Sequence, residues 1–315
     1  MLLILDIVNT LGITISLTKG DNMRLWKAID TYLNSKAYLN LSSSSQKTYK
    51  YNLHKINNTY IDGGKFGNKS IKNMTIETCN EAYDTWEAED STANANHLAT
   101  IFSVVMNHHI MLENIGRNPM RFVKKRTSKP RSVVWEHDQV MTFLDTAFSK
   151  FDWRNIGLIV YMCYEWGQRP VDVRNLTFSQ IDWHKHKVDI TQTKRGAEVE
   201  LPIPDELYPM LKQQEIDWGF QDYVVPNHRA SDGGYRPLTV QQMTALLKEV
   251  KADCGLPEDL QVGDLRKTAI VQMIEGEVDH LAIQSVTGHK HVSSLNPYNK
   301  FNLKTAKSAL ERRQR

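Results

Sequence analysis

Apolar side chains recur every three or four positions through most of the first 120 residues, which is the spacing of amphipathic helices. The pattern predicts four helices, over residues 24–36, 46–57, 77–88 and about 91–113. The serines at 42–45 have the composition of an N-cap region, and Asn118-Pro119 does not permit further helix. We therefore expect a helical domain over 24–120, preceded by a short extension over 1–23.

From residue 132 onwards the pattern is mixed. Alternation of apolar and polar residues predicts two strands, over 188–193 and 199–203, and Lys194-Arg195-Gly196-Ala197 between them suits a hairpin turn. Helical spacing predicts further elements over 154–166, 239–252, 264–275, 279–286 and 304–313. The predicted fold class is mainly α with a small antiparallel β-sheet, in two domains of which the second spans 132–315.

Composition excludes several classes of protein. The chain has 39 Lys and Arg against 36 Asp and Glu, and this net charge of +3 excludes a histone-like polycation. The three cysteines lie far apart, so we expect neither a disulfide framework nor a metal site, and we expect a reducing compartment. No apolar run is long enough for a signal peptide or a membrane span.

Charge is nevertheless segregated, because residues 117–131 contain seven basic residues and no acidic one. This composition suits a solvated linker over 121–131, and it equally suits a segment that contacts DNA phosphates. The candidate DNA-binding residues are Lys124, Lys125, Arg126, Lys129 and Arg131.

Four short segments of the second region contain candidate catalytic residues. In chain order they are Gly167-Gln168-Arg169 with Asp172, the hairpin lysine Lys194, Asp264 with Arg266, and Thr287-Gly288-His289 with Tyr298. Asp264 is predicted to be the N-cap of a helix, which places Arg266 in its first turn. Taken singly, each of these residues is more often a surface or core residue, and their order and spacing are what give the set weight.

The set resembles the tyrosine recombinases, the phage integrase family, over about residues 24–315. The family pattern is an arginine after a glycine turn, a lysine in a β-hairpin, a His-x-x-Arg box, a Gly-His pair, and a tyrosine nine residues beyond that histidine. Five residues fill these positions in the right order: Arg169, Lys194, Arg266, His289 and Tyr298. The resemblance implies a helical, SAM-like core-binding domain over 24–120 and a DNA breaking-rejoining catalytic domain with a C-terminal tail over 132–315.

The resemblance also implies an activity. It is site-specific cutting and rejoining of duplex DNA through a 3′-phosphotyrosine, for integration or excision of a phage or mobile element. Tyr298 would attack the phosphate, both arginines and His289 would bind its oxygens, and Lys194 would protonate the leaving 5′ oxygen. Asp172 would orient an arginine, in place of the more common glutamate. No metal or other cofactor is implied.

One position departs from the family pattern. Gly263 stands where a histidine is usual, and a glycine side chain can neither hydrogen-bond a phosphate nor take a proton. The position is then dispensable, or Lys267 or His291 substitutes for it, or activity is reduced. A catalytically impaired, recombinase-derived DNA-binding protein therefore remains an alternative, as does a type IB topoisomerase-like enzyme with the same chemistry.

Partners and location follow from the same resemblance. The implied partners are double-stranded DNA with attachment or recombination sites, further copies in a homotetramer on synapsed DNA, and accessory DNA-bending or directionality proteins. The tail after Tyr298, with six basic residues from Lys300 to Arg315, either docks on a neighbouring protomer or packs on its own domain. The implied location is the cytoplasm of a bacterium or phage-infected host, at the nucleoid, away from membranes.

Overall fold

The computed structural model describes residues 23–194, 196–229, 234–298, 310–311 and 313, which belong to two compact units that divide between Pro130 and Arg131. The extension over 1–22, the hairpin residue Arg195 and most of the helix expected at 304–313 lie outside the described residues.

The first unit is a helical bundle with a small hairpin. Its elements are α1 (Leu25–Leu33), α2 (Lys36–Leu39), α3 (Ser43–Asn58), β1 (Tyr60–Ile61), β2 (Gly64–Lys65), α4 (Ile76–Glu89) and α5 (Thr92–Met111). The hydroxyls of Ser42, Thr75 and Ser91 cap α3, α4 and α5 by accepting a backbone N–H from the first turn. The helix predicted from residue 46 therefore begins earlier, at Ser43.

The core of this unit is built around aromatic side chains. Trp86 and Phe102 are fully buried and each packs against Phe66, with ring centroids 6.1 and 5.4 Å away. The Trp86 indole N–H donates to Thr59 Oγ1 at 2.7 Å, so its polar atom is also satisfied. The β1–β2 hairpin, which lies between Thr59 and Phe66, was not predicted, because its two-residue strands are too short to show alternation.

The second unit surrounds one buried helix. Its elements are α6 (His137–Phe148), α7 (Phe151–Trp166), α8 (Pro170–Arg174), β3 (Ile181–Asp182), β4 (Lys187–Thr191), β5 (Glu198–Pro202), α9 (Leu207–Trp218), α10 (Val240–Asp253), α11 (Val262–Glu275) and α12 (His280–Thr287). From Ile156 to Cys163 every residue of α7 is buried, and α6, α10 and α11 pack around this helix.

The sheet of this unit is antiparallel, with the order β3-β4-β5. Val188 and Ile190 of β4 pair with Leu201 and Val199 of β5, and all four face the core. The predicted fold class, mainly α with a small antiparallel sheet, is confirmed. Within the described ranges, no helix is long and apolar enough to cross a membrane.

The start of α11 differs from the prediction. The helix begins at Val262 with Gln261 as its N-cap, and Asp264 is its third residue. The Asp264 carboxylate accepts the backbone N–H of Gln261 at 3.0 Å, the reciprocal half of a capping box. Arg266 therefore lies one turn inside the helix. The prediction was wrong at this point because aspartate suits the third position of a helix as well as its N-cap.

Candidate active site

Two left-handed glycines end the helices that precede Arg169 and His289. Helix α7 stops at Gly167, with φ +58°, and α12 stops at Gly288, with φ +68°. Only glycine adopts this conformation without strain, and it turns the chain sharply out of the helix. Arg169 and His289 follow directly after these turns, so their positions are set by the two helix ends.

Arg266 joins these two helix ends. Its side chain is buried, Nη1 donates to Gly167 O at 3.1 Å, and Nη2 donates to Thr287 O at 2.7 Å. The same Nη2 lies 3.4 Å from His289 Nε2. The structure thus brings together the segments that contain three of the five predicted residues.

The hydrogen bonds of His289 select one tautomer of its neutral ring. Its Nδ1 lies 2.7 Å from Thr287 Oγ1, and that hydroxyl donates to Ile283 O at 2.6 Å. A guanidinium only donates, so Nε2, which faces Arg266, must be an acceptor and the ring proton sits on Nδ1.

Tyr298 lies beside His289, with ring centroids 6.4 Å apart. It ends the 3₁₀ helix Val292–Tyr298, and its half-buried ring packs on a small apolar cluster that contains Leu295. The nucleophile predicted from the sequence is therefore placed next to the predicted phosphate-binding histidine.

The hairpin of Lys194 is attached to the turn of Arg169. Asp172, whose side chain is fully buried, accepts the backbone N–H of Thr193 through Oδ1 at 2.8 Å. Its Oδ2 lies 3.8 Å from Arg169 Nη1. Lys194 itself is exposed, one residue beyond this anchor.

Two buried glutamines at the site were missed by the sequence reasoning. Gln168 and Gln192 are both fully buried, and Gln192 Oε1 accepts from Arg169 Nη1 at 2.8 Å. A signal for Gln192 was present, because Val188, Ile190 and Gln192 follow one another at the strand period of two and share the inward face.

Gly263 leaves open space at the position where the family usually has histidine. It is the second residue of α11, and apart from its chain neighbours and the backbone of its own helix, no described atom lies within 4 Å of a Cβ built on it. It borders a cleft of about 630 Å³ that Pro170 and Arg174 also line. Of the two residues named as substitutes, Lys267 donates to Arg131 O at 2.9 Å and His291 is exposed.

Two arginines of the basic segment contact carboxylates. Arg126 forms ion pairs with Asp84, at 2.8 Å, and with Glu87. Arg131 forms a forked pair with Asp264 inside the second unit. The three lysines proposed for the same role, Lys124, Lys125 and Lys129, are exposed.

The sequence profile of the phage integrase family matches residues 134–304. Tyrosine recombinase XerA of Pyrococcus furiosus is 27% identical over 159 residues, which are 49% of this chain and 53% of the relative, so the chain spans about half of that relative's length. A lambda integrase dimer bound to a COC′ core site shares the fold, with a TM-score of 0.73, 15% identity, and coverage of 96% of this chain and 84% of that one.

A second solved structure is equally similar in fold. The Tn1549 transposon integrase in complex with circular intermediate DNA superposes with a TM-score of 0.74 at 13% identity, over 91% of this chain and 99% of that one. The family profile covers more than half of the chain and contains all five candidate catalytic residues in its range. The chain therefore belongs to the phage integrase family, the tyrosine recombinases.

Proposed function

We propose that this protein is a site-specific DNA recombinase that cuts and rejoins duplex DNA through a 3′-phosphotyrosine. The observation that carries the proposal is the position of Arg266, which is hydrogen-bonded to the ends of both helices from which Arg169 and His289 emerge. The same guanidinium lies 3.4 Å from the His289 imidazole, and that imidazole is beside Tyr298. Such a group of donors suits the oxygens of a phosphodiester.

The chemistry assigned to these residues is an exchange of phosphate esters. The Tyr298 oxygen attacks phosphorus and loses its phenolic proton to water, while the bond from phosphorus to the 5′ oxygen breaks. Lys194, on its exposed hairpin, supplies a proton to the departing 5′ oxygen. Rejoining runs the same steps in reverse with a different 5′ hydroxyl, so the phosphotyrosine conserves the bond energy and no nucleotide is consumed.

The arginines are assigned to the charge of the phosphate. Positioned donors at a developing oxyanion are worth about 3–4 kcal/mol each, by analogy with other acyl- and phosphoryl-transfer sites. Arg169 and Arg266 are both held by hydrogen bonds to other parts of the protein, which lowers the entropic cost of positioning them at a phosphate.

The comparisons support the assignment of partners. The similar structures are of integrases on DNA, including a lambda integrase tetramer bound to a Holliday junction. By extension, we propose that this chain acts on attachment or recombination sites of a phage or mobile element and assembles as a tetramer on paired sites. Phosphate contacts are assigned to Lys124, Lys125 and Lys129, whose charges are exposed.

Covalent trapping on nicked half-site DNA tests the proposal. Once the strand is cut, the short fragment beyond the nick diffuses away, and the phosphotyrosine accumulates as a band of higher mass. Wild type and the matched control Tyr60→Phe, which removes an exposed hydroxyl from the first unit, should form the adduct. Tyr298→Phe should not. An adduct with Tyr298→Phe would refute the nucleophile, and DNA binding without any wild-type adduct would refute the enzyme.

Gly263 favours a second candidate, a DNA-binding protein derived from a recombinase with impaired catalysis. The trapping assay separates the two, because this candidate binds the half-site and forms no adduct. Relaxation of a supercoiled plasmid that lacks any cognate site would instead indicate a topoisomerase-like activity.

A further inference from the structure

We propose that Gln192 is a positioning residue that fixes the two guanidiniums of the site relative to each other, an inference that rests on the proposed function. Its side chain is fully buried just beyond the end of β4, two residues before Lys194. The backbone of Gln192 also closes the hairpin, because its N–H donates to Ala197 O and its C=O accepts from Gly196 N, both at 2.8 Å.

The amide of Gln192 links three separate segments of the chain. Oε1 accepts from Arg169 Nη1 at 2.8 Å. Nε2 donates to Gln168 Oε1 at 2.7 Å and to Thr287 O at 2.8 Å. The acceptor and both donors of one buried side chain are therefore used, and each is used on a segment that carries a candidate catalytic residue.

The carbonyl of Thr287 completes the connection between the arginines. It accepts both from Gln192 Nε2 and from Arg266 Nη2, the latter at 2.7 Å. A continuous hydrogen-bonded chain therefore runs from Arg169 through Gln192 and the Thr287 carbonyl to Arg266. Gln168 supports it from behind, because its own Nε2 donates to the carbonyls of Trp166, at 3.1 Å, and Val286, at 2.5 Å.

The orientation of the Gln192 amide is fixed by its neighbours. If the amide were flipped, its NH₂ group would face the Arg169 guanidinium, and its oxygen would face two other oxygens, so the bonds would be replaced by repulsion. Gly288 adds a steric constraint, because a Cβ at that position would lie 2.7–2.9 Å from the Gln192 amide. The glycine of the Gly-His pair is thus required by Gln192 as well as by its positive φ.

Substitution of Gln192 should weaken the binding of the phosphate charge by the two arginines and leave proton donation by Lys194 intact. Gln192→Met fills a similar volume but loses the bond to Arg169, and loss of a hydrogen bond to a charged group should slow cleavage roughly 10- to 100-fold. Gln192→Asn keeps an amide that is one methylene too short to reach Arg169, and it should act in the same direction with less effect on folding.

A change in the charge of the DNA separates this role from a general loss of structure. Single-turnover cleavage is measured on half-sites with an ordinary scissile phosphate and on half-sites with a methylphosphonate, which lacks the negative charge that the guanidiniums neutralise. The defect of both Gln192 variants should shrink at least tenfold on the neutral substrate, as should that of Arg169→Ala. For a Lys194→Ala variant, the loss of rate relative to wild type should be the same on both substrates, because Lys194 protonates the leaving oxygen.

Gln214→Met is the matched control. Gln214 is another fully buried glutamine of the second unit, and its amide donates to Asn155 Oδ1 at 2.9 Å and Val224 O at 2.7 Å. It should lower the melting temperature as Gln192→Met does, without any dependence of the rate on phosphate charge. Equal defects of the Gln192 variants on both substrates, or no defect in folded protein, would overturn the proposal. If wild type forms no adduct on either substrate, the proposed function fails instead.

Discussion

Arg131 and Asp264 form a forked ion pair, and this pair determines whether the Arg131 guanidinium is available to bind DNA. Arg131 Nε lies 2.9 and 3.2 Å from the two Asp264 oxygens, and Nη2 lies 2.8 Å from Oδ2 and also donates to Asp259 O. The side chain of Asp264 is 8% exposed and that of Arg131 is 39% exposed. The N–H edge of the guanidinium that would bind a phosphate already binds a carboxylate. We therefore predict that Arg131 stabilises the second unit and does not bind DNA.

The size of the effect follows from the burial of the two partners. Arg131→Ala leaves a buried carboxylate whose remaining bond is to the N–H of Gln261. Breaking a fully buried pair costs about 3–5 kcal/mol and an exposed pair about 0–1 kcal/mol, so a half-exposed arginine on a buried aspartate should be worth about 2 kcal/mol. For a unit of this size, the melting temperature measured by calorimetry should fall by about 4–8 °C.

The salt dependence of DNA binding provides the second measurement. Each phosphate contact contributes about 0.9 to the slope of log K against log salt concentration. Arg131→Ala should leave this slope unchanged, whereas the matched variant Lys124→Ala, from the same segment, should reduce it by about 0.9. A reduced slope for Arg131→Ala with an unchanged melting temperature would refute the reasoning.

Three further predictions concern glycines and cysteines. Gly263→His should fold, because its Cβ enters open space, and should raise the rate of covalent trapping about tenfold if an imidazole is missing there; an unchanged rate would show that the position is dispensable. Gly288→Ala should destabilise the protein more than Gly255→Ala does in chemical denaturation. Both glycines have φ +68°, but only Gly288 meets a neighbour, and equal losses would show that the clash with the glutamine amide is unimportant. In thiol titration at pH 8, partly exposed Cys254 should react in the folded protein. Cys79, whose pKa burial raises to about 12, should react only after unfolding, and fast labelling of it in folded protein would contradict its burial.

Local patterns predicted most of the fold. Helical spacing located most of the long helices to within a few residues, but it missed α9 (Leu207–Trp218). Alternation located the β4–β5 hairpin, because a buried face repeats at the period of its element. Elements of two or three residues, such as β1 and β3, are too short to show a period, and their pairing depends on distant contacts. The start of α11 was wrong by two residues because Asp264 satisfies more than one capping position.

The sequence also indicated which residues belong to the candidate site, through their order along the chain. It could not show what holds them, because the partners are far apart in sequence. Arg126 pairs with Asp84, 42 residues away in sequence, and Arg131 pairs with Asp264, 133 residues away. From the sequence alone the basic segment therefore looked like a solvated linker, although two of its arginines are paired. The buried glutamines looked like ordinary polar residues for the same reason.

The ends of α7 and α12 have an electrostatic consequence for the site. The last carbonyls of a helix are not bonded within it and carry about half an elementary negative charge in total. Arg266 donates to the carbonyls of Gly167 and Thr287, so the guanidinium rests against the negative poles of two helix dipoles. These partial charges belong to the backbone, are buried, and are only weakly screened by ions. The arrangement of the site should therefore persist at salt concentrations that release DNA, which makes assembly of the site and affinity for DNA separately adjustable properties of this chain.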